Sequence, residues 1–277
     1  MKNTIDYHHI EVLDQHFQPT DNVASFAYTN ALLRLLAHID YPIIHFWTLE
    51  QTLILGLADQ RLPHLATALA VLQRANYHYF IRNSGGLAVI SNEGILNVSL
   101  FLPQVNEAIS VDESYQEMTD LINDAFPELN LNAFEIEHSY CPGKFDLSVN
   151  GQKIGGMSQR RNQNGVVIML YLSITGDQNA RGQLVANFYQ HGLKDDENKW
   201  NFPEVWPETM VNLEDLLNQP LSVTAAKNRI LTVLKKQNIV TGSLTLQQTM
   251  QQPEFQTYLD YETGQMHQRQ TKLKGRE

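Results

Sequence analysis

Residues 139–161 read SYCPGKFDLSVNGQKIGGMSQRR. The segment opens on a Cys141-Pro142-Gly143 turn, followed by alternating apolar residues Phe145, Leu147 and Val149. Asn150-Gly151 comes next, then a second run, Lys153-Ile154-Gly155-Gly156. Asn-Gly between two strand-like runs is the strongest short hairpin signal, because both central residues must reach positive φ. The hairpin brings Lys153 back toward the end that holds Cys141, so a thiol and an ammonium are expected to meet. A neighbouring positive charge favours the thiolate, which is the nucleophilic form.

Downstream of the hairpin, Arg160 to Gly165 is a turn, and Val166 to Ile174 is the most apolar strand, expected at the centre of a sheet. Upstream, Phe134-Glu135-Ile136-Glu137 alternates like a half-exposed strand. Glu113 to Ala125 reads as a helix, and so does Ala24 to Ile39, whose Phe26, Leu32, Leu33 and Leu36 share one face. The stretch from Pro42 to Gly56 reads as two strands around Glu50-Gln51. Leu62 to Ala75 is an Ala/Leu-rich helix with Pro63 near its first turn. Tyr77 to Ile81 is a strand running into Arg82-Asn83-Ser84-Gly85-Gly86, with strands from Leu87 and from Ile95 beyond. Asp177 to Tyr189 and Val223 to Lys236 are helical, Gln247 to Gln268 is a polar helical pair or tail, and the basic end from Arg269 is expected to fray.

Strands joined by short turns, without regular βαβ alternation, point to an α+β fold: a mixed, largely antiparallel sheet flanked by helices, not a Rossmann fold. The expected division is an N-terminal arm over 1–21, a catalytic domain over 22–220 and a small helical C-terminal appendage over 221–277.

The 277 residues are 43% hydrophobic and 18% charged, enough for a sizeable core and against disorder. The net charge of −10 argues against general nucleic-acid binding. A single cysteine excludes an intramolecular disulfide. No signal peptide and no membrane-length apolar run is evident, so a reducing cytoplasm is expected.

A lone cysteine is more often a small buried apolar residue than a nucleophile. Cys141 differs in lying in a turn beside Pro and Gly, with a lysine on the neighbouring strand. Lys153 could both favour the thiolate and hydrogen-bond a developing oxyanion. Gly85-Gly86 and Gly155-Gly156 allow close approach to bare backbone, and Arg82 and Ser84 add a positive fork and a hydroxyl for a polar ligand. The plainer reading of residues 82–86 is a tight hairpin with an exposed arginine. His138 is set aside as a base because i and i+3 in an extended segment lie on opposite faces. The histidines show no metal-ligand spacing, so no metal site is expected. No phosphate loop or dinucleotide fingerprint is present.

Two separated patterns coincide in a resemblance. Arg82-Asn83-Ser84-Gly85-Gly86-Leu87-Ala88-Val89 resembles the RR-x-SGG-x-AV loop of the lipoate–protein ligase and octanoyltransferase superfamily. Asp146 to Arg161 resembles that superfamily's strand-turn-strand, whose lysine matches Lys153. The resemblance spans about residues 25–240 and implies a biotin/lipoate ligase catalytic-domain-like fold. Ser139-Tyr140-Cys141-Pro142-Gly143-Lys144-Phe145-Asp146-Leu147 is similar to one branch, the N-octanoyltransferases that take their acyl group from glycine cleavage H protein. This implies an amide-to-amide transfer without a cofactor. Cys141 would take an octanoyl or lipoyl chain as a thioester from octanoylated or lipoylated H protein, and a lysine of an apo lipoyl domain of a 2-oxoacid dehydrogenase would receive it. Lys153 matches the lysine that lowers the cysteine pKa. Arg82, Ser84, Gly85, Gly86, Gly155 and Gly156 would line the substrate site.

Asn83 stands where the ligase pattern has a second arginine, and Ile90-Ser91-Asn92 stand where it has a His-Asp segment. Both departures favour the transferase over an ATP-dependent lipoate–protein ligase. An octanoyl-acyl carrier protein:protein octanoyltransferase would also use a cysteine, and only its donor would tell it apart. The intact Cys141–Lys153 pair argues against an inactive carrier-binding module. Lys144, Arg160 and Arg161 are candidates for a basic dock beside the site.

Overall fold

The computed structural model describes residues 8–104, 109–237 and 239–273. The chain begins with β1 (His9–Phe17), α1 (Ala24–Leu35), β2 (Ile43–Leu49), β3 (Thr52–Leu55), α2 (Leu65–Arg74), β4 (His78–Ile81), β5 (Val89–Ser91) and β6 (Ile95–Pro103). It continues through α3 (Val111–Ala125), β7 (Asn132–Ala133), β8 (Leu147–Val149), β9 (Gln152–Asn162), β10 (Gly165–Ser173) and α4 (Gln178–Leu193). The last part holds α5 (Leu213–Leu217), α6 (Val223–Lys236), β11 (Val240–Gly242), α7 (Leu244–Met250) and α8 (Pro253–Gln270).

Among the described residues, eight strands form one sheet in the order β11-β1-β2-β6-β10-β9-β8-β7. From β2 to β7 every pairing is antiparallel, while β1 is parallel to both β2 and β11. The α+β, largely antiparallel architecture expected from the sequence is therefore present. A second sheet has the order β4-β3-β5. Strand β10 is central because both its faces are apolar. Val166, Ile168, Leu170 and Leu172 join α3 and α6 in one core, and Val167 and Met169 face α1 in another. The small sheet packs with α2 and α4 in a third.

The Asn150-Gly151 hairpin forms, with φ of 51° and 80° at its two central residues. Its register departs from simple alternation. Leu147 pairs with Gly155 while Ser148 pairs with Lys153, so Ile154 is an extra residue in β9. Such a bulge re-aims the side chains on either side of it. Ile154 goes into the core with α3, and Lys153 comes to the same side as Gly156.

Other elements differ from expectation. The two runs around Glu50-Gln51 belong to different sheets: Gln51 turns the corner at φ 33°. The strand expected over Phe134–Glu137 stops at Ala133. There the Asp146 carboxylate accepts the N–H groups of Ile136 and Gly143 and curls the chain into a loop. Helix α3 starts two residues early because Ser110 and Glu113 form a reciprocal capping box. Of the arm expected over 1–21, residues 9–17 are a sheet strand, and residues 1–7 lie outside the described residues.

The C-terminal segment is woven into the rest. β11 extends the large sheet, Glu11 accepts the Leu246 N–H, and α8 packs on α1. The basic end does not fray where it is described: α8 reaches Gln270 and Leu273 is buried. Residues 274–277 lie outside the described residues. No described helix is long and apolar enough to cross a membrane.

Candidate active site

Two loops meet over the junction of the sheets. The first is Arg82–Ala88. It is not a hairpin turn, because β4 and β5 lie on opposite sides of β3. The loop must cross the end of β3, and does so at Gly56, where a Cβ would stand 2.0 Å from the Gly86 carbonyl oxygen. Arg82 is buried and knits this loop, donating to the carbonyls of Gly85 (2.9 Å) and Leu87 (3.1 Å).

The second loop, residues 134–146, carries the cysteine. His138 and Cys141 both adopt left-handed backbone, with φ of 62° and 49°. For a residue with a Cβ this costs about 1–2 kcal/mol, and such strain persists only where the surroundings enforce it. At His138 the Trp206 N–H donates to the His138 carbonyl at 2.8 Å, and at Cys141 the enforcing group is the Lys153 ammonium. It donates to Ser139 Oγ (3.2 Å), Tyr140 O (3.0 Å) and Cys141 O (2.9 Å), and pairs with Asp146 Oδ1 at 3.0 Å. Burial pushes the Asp146 carboxyl upward, and the Lys153 charge and hydrogen bond oppose that shift. The lysine therefore engages Cys141 through its backbone carbonyl and not, as expected, through the thiol.

The sulfur's own partners come from the first loop. The Leu87 N–H lies 3.4 Å from Cys141 Sγ and Arg82 Nη2 lies 3.7 Å away. Arg82 is thus the cation within hydrogen-bond range of the thiol. Cys141 is half-buried, at the mouth of a narrow slot. Phe26, Trp47, Ile54, Val89 and Met169 make its walls apolar, Arg82, Cys141, Gly156 and Tyr171 surround its sulfur end, and Asn97 and Ser158 add polar groups. Burial raises Tyr171 well above the usual phenol range, so this wall stays neutral.

Of the residues singled out from the sequence, Cys141, Lys153, Arg82, Gly86 and Gly156 come together. A Cβ on Gly86 would meet Arg82 Nη2 at 2.6 Å and Cys141 Sγ at 3.4 Å; one on Gly156 would meet the Tyr171 ring at 2.8 Å and Lys153 Nζ at 3.4 Å. Gly155 lies against the Tyr171 carbonyl. Gly85 is exposed, with open space where a Cβ would be. Ser84 is buried, its hydroxyl unpartnered among the described residues and away from the slot. His138 is half-buried and stacks on Trp206 with centroids 3.6 Å apart. Of the candidates for a basic dock, Lys144 is exposed beside Asp112, Arg160 bonds Asn30 on α1, and Arg161 is exposed and bonds Ile109, Ser110 and Ser114 at the start of α3. Asp146 stands within the cysteine motif, but its pairing with Lys153 is visible only once the hairpin folds. The slot walls Phe26, Trp47 and Met169 come from distant elements and read as ordinary core in the sequence. Among the described residues, no group of three or more His, Cys, Asp or Glu side chains could hold a metal ion.

The family model for the lipoyl protein ligase A/B catalytic domain matches residues 21–235. The chain is 38% identical over 215 residues to an octanoyl-[GcvH]:protein N-octanoyltransferase of Lysinibacillus sphaericus, covering 76% of this chain and 77% of that one. It is 39% identical over 230 residues to a lipoyl-[GcvH]:protein N-lipoyltransferase of Listeria monocytogenes, covering 81% and 83%. The fold is similar to a crystal structure of lipoate-protein ligase A bound with ATP, with a TM-score of 0.68 at 14% identity over 92% of this chain and 94% of that one. It is also similar to the bi-partite lipoate protein ligase of Thermoplasma acidophilum, with a TM-score of 0.64 at 16% identity over 92% and 91%. The mixed sheet, the lysine-bearing hairpin and these matches agree: the chain belongs to the lipoyl protein ligase A/B catalytic-domain family.

Proposed function

We propose that this protein is a cysteine-dependent amidotransferase that moves an octanoyl or lipoyl group from a lysine of glycine cleavage H protein to a lysine of an apo lipoyl domain. The observation that carries this reading is the Cys141 sulfur at the mouth of an apolar slot, between a backbone N–H and a guanidinium. Relatives named for octanoyl and for lipoyl transfer from GcvH support the acyl group and the donor.

In the first step the Cys141 sulfur attacks the acyl amide carbonyl of the donor. A C–S bond forms, the C–N bond breaks, and the donor lysine leaves as an amine carrying the proton given up by the thiol. In the second step the acceptor amine attacks the thioester, the C–N bond forms, and the sulfur leaves and regains a proton. No oxidant, nucleotide or cofactor enters. Burying the acyl chain contributes roughly 0.8 kcal/mol per CH₂, so the slot supplies several kcal/mol of binding. Arg82 and the Leu87 N–H lie beside the sulfur, where they favour negative charge on it as nucleophile and as leaving group. Lys153 acts by holding the loop that presents Cys141.

The transfer chemistry is assigned to residues 22–220, with 221–277 bracing that unit, and the compartment is the cytoplasm. The test is transfer from octanoyl-H protein to an apo lipoyl domain with no nucleotide present. Transfer is expected. A requirement for ATP and free acid would mean a ligase instead.

A further inference from the structure

Behind the cysteine lies a buried carboxylate that the proposed chemistry does not use. Asp59 is fully buried just after β3. Its Oδ2 accepts the Gly56 N–H at 2.7 Å, and its Oδ1 accepts the Tyr189 hydroxyl at 2.9 Å. The Tyr189 oxygen in turn accepts the Ala88 N–H at 2.9 Å. Gly56 is the residue over which Gly86 crosses in contact. One carboxylate therefore fixes both flanks of the Gly86–Leu87 peptide, the peptide whose N–H points at Cys141 Sγ.

We propose that Asp59, acting through Gly56 and Tyr189, is the positioning residue that holds the Gly86–Leu87 peptide against the Cys141 sulfur. The proposal rests on Cys141 being the nucleophile. Both acceptor oxygens are needed at once. An ionised carboxylate supplies them freely, whereas an acid or an amide gives up good acceptance at one. Burial outweighs the Tyr189 and Gly56 hydrogen bonds and the Arg82 charge, which pull the other way, and leaves the Asp59 carboxyl raised to about 7. The groups facing this network are Tyr189 from α4, Arg82 from the crossing loop and Cys141, whose charge is felt at Tyr189. The tether is therefore at full strength above neutral pH and loosens as Asp59 takes up a proton.

The test uses the full-length protein with Asp59→Asn and Tyr189→Phe, the second keeping the question open to measurement should the first fail to fold. Two rates are read: alkylation of Cys141 by iodoacetamide, and single-turnover acylation by octanoyl-H protein. Both variants are expected to slow acylation by about 10–100-fold, short of the roughly 100–1,000-fold that removing an oxyanion donor outright costs, with the donor KM within about twofold. Both are expected to slow alkylation. Wild type is expected to show a rise in acylation rate centred near pH 7 that Asp59→Asn lacks. A charge effect alone acts differently: losing a nearby negative charge favours an ionised sulfur, so Asp59→Asn would then alkylate faster and Tyr189→Phe would not change. Either of those results overturns the proposal. Slowed alkylation in both variants alongside no acyl transfer by wild type would uphold the positioning role and reject the transferase reading.

Discussion

Lys153 holds Cys141 by its carbonyl: the ammonium nitrogen lies 2.9 Å from the Cys141 oxygen and 3.0 Å from Asp146 Oδ1, with the lysine fully buried. The pair organises a loop whose backbone is unfavourable at two residues, so its loss should be felt in both stability and catalysis.

Lys153→Ala leaves the Asp146 carboxylate buried without a cation. Removing one partner of a buried pair costs roughly 3–5 kcal/mol. A loss of that size is expected in urea unfolding, together with slow acylation that raising the pH restores only in part. Replacing both residues with apolar ones of similar size, Lys153→Met with Asp146→Leu, is expected to recover much of the stability and none of the activity.

The glycine pairs make a contrast. Gly85→Ala adds a methyl to open space and is expected to leave transfer within about twofold of wild type, since surface changes of this kind are usually near neutral. Gly56→Ala drives a Cβ to 2.0 Å from the Gly86 carbonyl and is expected to displace the crossing loop and abolish transfer. Gly156→Ala pushes on the Tyr171 ring and on Lys153, and is expected to lower kcat more than it changes carrier KM. Steady-state kinetics on the three folded variants checks the order.

The hairpin, the central strand and most helices could be read from the chain because each is specified within a dozen or so residues, by a turn dipeptide, an alternation or an apolar face. Cys141, Lys153 and Arg82 could be read as one site because two separated motifs marked them. The Ile154 bulge could not, because pairing register depends on the partner strand. Nor could the exchange of roles between Arg82 and Lys153. Which cation reaches the sulfur depends on β4 and β5 flanking β3, a topology that no local pattern encodes. Asp59 and Tyr189 meet only in the fold, 130 residues apart.

His45 is fully buried on β2, with both ring nitrogens unpartnered among the described residues. Burial, aided by the Lys227 charge, holds it down at about 3 from an ordinary 6.5. The folded protein thus keeps the ring neutral while the unfolded chain protonates below pH 6.5, so acid lowers stability across that window. The full span is worth about 4–5 kcal/mol. His45→Leu is expected to be more stable than wild type by an amount that grows as the pH falls from 6.5 toward 3, measured by urea unfolding at a series of pH values.

Gln270 near the C-terminus clamps β4. Its side-chain oxygen accepts the Ile81 N–H at 2.7 Å and its amide donates to Ile81 O at 3.0 Å, one residue before Arg82. Gln270→Leu leaves both backbone groups short of a partner, at about 1–3 kcal/mol. Faster hydrogen exchange at Ile81 and through the Arg82–Ala88 loop is expected, with slower transfer.

The most direct measurement is the intact mass of the protein after incubation with octanoyl-H protein and no acceptor. The expected result is one added octanoyl group on wild type, removed by hydroxylamine and missing from Cys141→Ser. Acceptor domain that becomes octanoylated while wild type never carries the group, or an adduct that persists in Cys141→Ser, would contradict the covalent relay.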